Sequence, residues 1–238
     1  MFLPYSDRLW YLECEEATDR PVLGYLRGSR MSLMIDAGNS AAHALHFLSR
    51  LEEHAQPLPR LVALTHSHWD HCYGLHAIDA VGIACEQTRR DLARDASLRW
   101  EESELQKNVA AGIVAPFCAE HMRMEYPDLS AIRVTLPQIL FEDKLVLDLG
   151  DRTAVLLHLE NPHSRDGVVV WCPEERAVFL GDTLCEELVG SDWVDHPALV
   201  KSYLAALEKL DFTICFPGHS APMSRAELFA ELGERCRG

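Results

Sequence analysis

The sequence contains no long apolar run. Its longest stretches without a charged side chain, Ala37–Ser49 and Phe212–Ser224, are 13 residues each, short of the roughly 18 needed to cross a bilayer. No membrane span is expected. The opening MFLPYSDRLWYLECEE lacks the basic start, apolar run and small-residue cleavage site of a signal peptide, so the expected location is the cytoplasm. CxxC pairs are also missing. Eight cysteines stand singly at 14, 72, 85, 118, 172, 185, 215 and 236 and are read as reduced thiols that mostly pack as small apolar groups. Basic residues are few: 22 Lys and Arg against 37 Asp and Glu give a net charge of −15, with no basic cluster beyond Arg89–Arg90 and the Arg235/Arg237 tail. Such a surface repels phosphate backbones and anionic membranes. The expected partner is a small-molecule substrate, with no nucleic acid and no membrane; self-association into a homo-oligomer is left open. Repeats, low-complexity tracts and long Pro/Gly/Ser linkers are lacking too, so residues 1–238 are read as a single domain.

What is present is a hydrophobic fraction of 48%, enough to build a substantial core. Strand patterns are read at Arg8–Glu13, Val22–Arg27, Ser32–Ile35 and Arg60–Thr65, with the turn-rich Ala17–Pro21 between the first two. A helix capped by Ser40 is expected to bury Ala41, Ala44, Leu45, Leu48 and Leu51. From Glu86 to about Tyr126 the pattern is helical. Strands are then expected at Ile132–Leu136, Ile139–Phe141, Leu145–Leu149, Thr153–Leu159, Val168–Trp171, Ala177–Leu180 and Phe212–Phe216. Helices are expected near Pro197–Leu210 and after the capping box Ser224-Arg-Ala-Glu227. Alternating strands and helices in both halves predict a layered α/β sandwich.

The chemistry is concentrated in His66-Ser-His68-Trp-Asp70-His71, directly after the Arg60–Thr65 strand. At this composition an HxHxDH match is expected by chance roughly 0.002 times in such a chain. Imidazole with carboxylate suits zinc or another borderline divalent ion, and the spacing lets His66 and His68 point to one ion while Asp70 and His71 address a second. Three later islands each put a ligand-type residue after a strand: Asn161-Pro162-His163-Ser164, Gly181-Asp182-Thr183 and Pro217-Gly218-His219-Ser220.

With these ordered motifs, from about Ser32 to Ser220, the chain resembles the metallo-β-lactamase-fold hydrolases. The resemblance implies a four-layer αβ/βα sandwich, an α/β (α+β) fold, with a dinuclear centre in the cleft between two sheets. It places His66, His68 and His163 on the first metal and Asp70, His71 and His219 on the second. Asp182 would bridge both, and Asp36 would orient the ligand loop. The implied cofactors are two divalent ions, zinc first, with iron or manganese as alternatives. The third motif departs from the family pattern, having Pro162 before His163 and Ser164-Arg165-Asp166-Gly167 after it, so His158 is kept as the alternative ligand. The long interval from His71 to His163 is read as a helical cap inserted at about 86–126.

The resemblance implies a hydrolase that uses a metal-bridging hydroxide on a small ester, thioester, lactone or phosphoester, with Asp70 as the catalytic residue orienting that hydroxide. Asp182 disfavours a true β-lactamase, since those branches carry Cys or Ser there. Two alternatives are a mononuclear iron oxidoreductase of the sulfur-dioxygenase kind on the same fold and a non-catalytic metal-stabilised binding module.

Overall fold

The computed structural model describes residues 1–236. Seven strands form the first sheet in chain order: β1 (Phe2–Pro4), β2 (Leu9–Leu12), β3 (Leu23–Arg27), β4 (Ser32–Ile35), β5 (Leu61–Ala63), β6 (Val81–Cys85) and β7 (Ile139–Phe141). β1 to β4 pair antiparallel, whereas β4 to β7 run parallel and so need crossovers. Helix α1 (Ala41–Glu53) supplies the first and the single turn α2 (Trp69–Cys72) lies in the second. The third contains α3 (Glu86–Asp95), α4 (Glu102–Ala110) and α5 (Pro116–Glu125).

The second sheet contains β8 (Lys144–Asp148), β9 (Thr153–His158), β10 (Val168–Cys172) and β11 (Ala177–Gly181). A separate hairpin, β12 (Glu187–Val189) and β13 (Asp192–Val194), follows, then α6 (Pro197–Leu207), β14 (Ile214–Pro217), β15 (Met223–Ser224) and α7 (Arg225–Arg235). Its strand order is β15-β14-β11-β10-β9-β8. β11 and β14 are parallel, so both deliver their carboxyl ends to the same edge.

Strand periodicity produces the layers. Successive residues face opposite sides of a strand, and in β4 Leu33 and Ile35 enter the core between the sheets while Met34 enters the core under the helices. β11 repeats this, with Ala177 and Phe179 inward and Val178 and Leu180 against the outer helices. Strands covered on both faces read as continuous apolar runs. The result is a four-layer αβ/βα sandwich, the architecture expected.

Three local expectations need correction. In α1 the side chains fully buried are His43, Ala44, Phe47 and Leu51, whereas Leu45 is 52% exposed; the buried stripe is turned by one position from the one read in the sequence. Ile132–Leu136 is not a strand, because β7 occupies the edge of β6 where it would have to pair. Its apolar side chains pack instead against the helix-side core. β6 was not expected as a strand, and it is followed directly by α3, which buries Thr88 and Leu92.

Candidate metal centre

The predicted residues converge at the strand ends, where open α/β sheets present ligand-binding loops. β4 ends at Asp36, whose backbone is left-handed at φ 59°. Its carboxylate accepts hydrogen bonds from the Thr65 N–H at 2.7 Å and the Thr65 hydroxyl at 2.9 Å. It also stands 2.7 Å from His71 Nδ1. Because a carboxylate only accepts, a proton belongs on Nδ1, and His71 presents Nε2 to the cleft. Asp36 therefore ties the His71 ring to Thr65 at the start of the loop.

His163 is set by different means. Asn161 Oδ1 accepts the N–H groups of His163 and Ser164 at 3.0 and 3.1 Å, while its amide donates to Leu159 O and Ser164 O. His163 Nδ1 donates to the Glu186 carbonyl at 2.8 Å, which leaves Nε2 facing His68 Nδ1 at 3.0 Å. His158 lies outside this arrangement, its ring nitrogens on the carbonyls of Glu142 and Arg165.

Two groups result, His66–His68–His163 and Asp70–His71–Asp182–His219, each with side-chain donor atoms within 4.8 Å of one another. Asp182 joins them. Its Oδ2 lies 4.0 Å from His66 Nε2, 3.7 Å from His163 Nε2 and 3.3 Å from His219 Nε2, and its Oδ1 lies 3.3 Å from His71 Nε2. Asp70 Oδ2 stands 3.0 Å from both His71 Nε2 and His219 Nε2. The backbone makes room for this. A Cβ at Gly218 would fall on Asp182 Oδ1, and Gly181, at φ 53°, lies where a Cβ would strike the Thr65 side chain.

The donor set fits divalent cations. His66 Nε2, His71 Nε2 and Asp182 Oδ1 are buried without a hydrogen-bond partner, a costly state for polar atoms unless something else satisfies them. Burial would raise Asp182, yet His219 and His71 hold it well below the ordinary carboxylate range. Burial would lower His71 and His219, but the facing aspartates, Asp182 foremost, push both well above the usual imidazole range. Burial pushes His66 well down and, with His68 beside it, takes His163 to about 4. The buried carboxylates demand positive charge, and the groups are able to bind metal that supplies it.

Above the groups opens a cleft of about 1130 Å³. The helix α5 side contributes Phe117, Cys118, His121 and Met122, and the hairpin contributes Leu188 and Trp193. Thr65, Asn161 and the Glu186 carbonyl were not singled out in the sequence. Asn161 was legible in principle, since an Asn two residues before the residue to be positioned is a turn-former of known geometry; the carbonyl leaves no trace in residue identity.

The metallo-β-lactamase superfamily model matches residues 20–219. The chain belongs to that superfamily. It is 24% identical to a human protein named acyl-coenzyme A thioesterase MBLAC2, over 90% of this chain and 78% of the human one. The chicken protein of the same name is 26% identical, over 82% of this chain and 68% of its own length. Among solved structures, the stereoselective inverting sec-alkylsulfatase Pisa1 from a Pseudomonas species superposes with a TM-score of 0.70 at 14% identity, covering 99% of this chain, which spans 40% of that enzyme. A metallo-β-lactamase from Pontibacter korlensis gives 0.66 at 15% identity, over 100% of this chain and 99% of its own. At those identities the solved structures speak for the fold alone.

Proposed function

We propose that this chain is a metal-dependent hydrolase that holds two divalent ions, zinc first, and cleaves an acyl thioester. The observation that carries the two-ion reading is the position of Asp182 Oδ2 between both groups, within 4.0 Å of His66, His163 and His219. His66, His68 and His163 would hold one ion, Asp70, His71 and His219 the other, and Asp182 would touch both. Ions bound there supply Lewis acidity, which lowers the pKa of water and polarises a carbonyl oxygen.

The chain's own residues do the rest. Asp36 and the Glu186 carbonyl hold His71 and His163 in the tautomer that leaves Nε2 free. Asp70, held between His71 and His219, would orient the attacking water. Burial raises Asp19 and Asp95, both lining the cleft, to about 6, but Asp19 faces His219 and Asp95 accepts from the Tyr73 hydroxyl, so neither is offered as a dedicated acid for the leaving group. A thioester has little need of one, because a thiol of pKa about 8.5 departs readily as the thiolate. The helical stretch at about 86–126 serves as a cap, its Trp100, Phe117 and Met122 all lining the cleft and offering an apolar wall to an acyl chain.

The test is elemental analysis of metal-loaded protein coupled to a panel of ester, thioester, lactone and phosphodiester substrates. Two ions per chain and a preference for thioesters are expected. Saturation at one ion overturns the dinuclear reading, and a preference for another bond overturns the substrate reading.

A further inference from the structure

Four of the five imidazoles in the two groups turn Nε2 toward the centre, and Nδ1 of each faces a polar group behind it. For His66 that group is Thr65 Oγ1 at 3.1 Å, for His71 it is Asp36 Oδ2 at 2.7 Å, and for His163 it is the Glu186 carbonyl at 2.8 Å. His219 is the fourth. Its Nε2 stands 3.0 Å from Asp70 and 3.3 Å from Asp182, and its Nδ1 makes no hydrogen bond among the described residues. Facing that nitrogen at 3.6 Å is Asp19 Oδ1, on a side chain only 13% exposed.

Asp19 is held there at a conformational cost. Its backbone is left-handed, φ 55° and ψ 46°, a region that costs an L-residue roughly 1 kcal/mol. The surrounding segment is pinned from three sides. Glu15 and Arg20 exchange backbone hydrogen bonds at 2.8 and 2.9 Å, and Asn39 donates its amide to Thr18 O at 2.8 Å. The Arg20 guanidinium grips the buried Glu125 carboxylate of α5 through two hydrogen bonds, at 2.9 and 3.1 Å. Two residues further on, the Val22 N–H donates to Gly218 O at 2.7 Å, tying this segment to the loop that carries His219.

From this geometry we infer that Asp19 is the positioning residue of His219: it accepts the Nδ1 proton and so fixes the ring with Nε2 presented to the cation. The distance is just outside hydrogen-bond reach, and a small rotation of the His219 ring would close it. Asp19 thus does for His219 what Asp36 does for His71, from a segment latched to the cap by Arg20 and Glu125. This inference rests on the proposed metal role of His219.

Two substitutions separate side chain from backbone, because Asn and Gly both tolerate the left-handed conformation. Asp19→Asn keeps an oxygen that accepts from Nδ1–H, whereas Asp19→Gly removes it. Zinc affinity is measured by competition with a chromophoric chelator. Asp19→Gly is expected to weaken the more loosely held zinc by about 10- to 100-fold, leaving the other zinc and the circular dichroism spectrum of the metal-free chain unchanged. Asp19→Asn should lose less than about fivefold, and Glu16→Gln, a neighbour that also lines the cleft, should titrate as wild type. A second readout is the ring tautomer of His219 in long-range 1H–15N spectra of the zinc-loaded protein, with the Nδ1–H form kept in wild type and Asp19→Asn and lost in Asp19→Gly. An Asp19→Gly protein that keeps both wild-type affinity and tautomer overturns the inference, as does equal loss of affinity in the Asn and Gly variants. If wild type takes up a single ion, the two-ion reading falls, and the His219 tautomer still decides the role of Asp19.

Discussion

Phe117 of α5 meets Trp193 of β13 edge to face, with ring centroids 5.9 Å apart. Both rings line the cleft, and both remain partly exposed, at 37% and 49%. They bring α5 and the hairpin together at the cleft. Replacing Trp193 with Ala removes apolar surface worth about 1–2 kcal/mol to a bound hydrocarbon. KM for a long-chain acyl thioester should rise about 5- to 30-fold, while metal content and turnover of an acetyl thioester stay unchanged. Equal effects on long and short chains would argue against an acyl-binding mouth.

Asp182→Asn should retain the fold but lose at least about 100-fold in kcat/KM, roughly 2.7 kcal/mol of barrier, because its carboxylate lies against both groups. Steady-state kinetics and metal analysis of the same sample check this. Activity within tenfold of wild type would refute a shared role.

Removal of metal should cost stability as well as activity. An ion at about 1,000 times its Kd contributes about 4 kcal/mol, or roughly 8–16 °C in Tm for a chain of this size. Chelated protein should melt lower by that order and regain both Tm and turnover when zinc is restored. An unchanged Tm would mean that the seven side chains are satisfied without an ion.

Metal uptake should release protons. In the metal-free chain the facing aspartates, above all Asp182, outweigh burial and hold His71 and His219 well above the usual imidazole range, which favours their protonated forms. Binding through Nε2 displaces those protons, and affinity therefore rises with pH through the neutral range. Titration calorimetry in buffers of different ionisation enthalpy measures the number released, and a value of zero would contradict the assignment.

Arg94 and Arg165 are the arginines that line the cleft. Arg94 pairs with Asp91, whereas Arg165 makes no ion pair among the described residues. If the proposed thioester substrate carries a phosphate-bearing thiol, Arg165 is the cleft arginine open to it in a chain of net charge −15. Arg165→Ala should raise KM about 5- to 10-fold for an acyl-CoA and leave that of the corresponding acyl-pantetheine unchanged. An equal change for both substrates would remove Arg165 from substrate recognition.

The architecture was largely legible because β4, β10 and β11 are apolar at consecutive positions, the mark of strands buried on both faces. The seven candidate metal residues were legible because imidazole and carboxylate side chains cluster in unusual spacings, and the structure brings all seven into two adjoining groups. What stayed hidden depends on pairing between distant segments. Asp19 sits in a stretch that reads only as a turn, and nothing local says that Val22 will bond to Gly218. Leu45 followed helical spacing yet faces solvent, because the orientation of α1 is set by the sheet beneath Ala44 and Phe47. Ile132–Leu136 has the composition of a strand but finds no free edge.

Each group draws on both halves of the sandwich. His68 meets His163 across 95 residues of sequence, and Asp70 meets His219 across 149. An ion shared by such distant residues acts as a removable cross-link, closing long loops that are costly to close by chance. The seam between the halves would then be held by something the cell can withdraw. Metal supply would then set how readily the polypeptide opens to proteases as well as whether it turns over substrate.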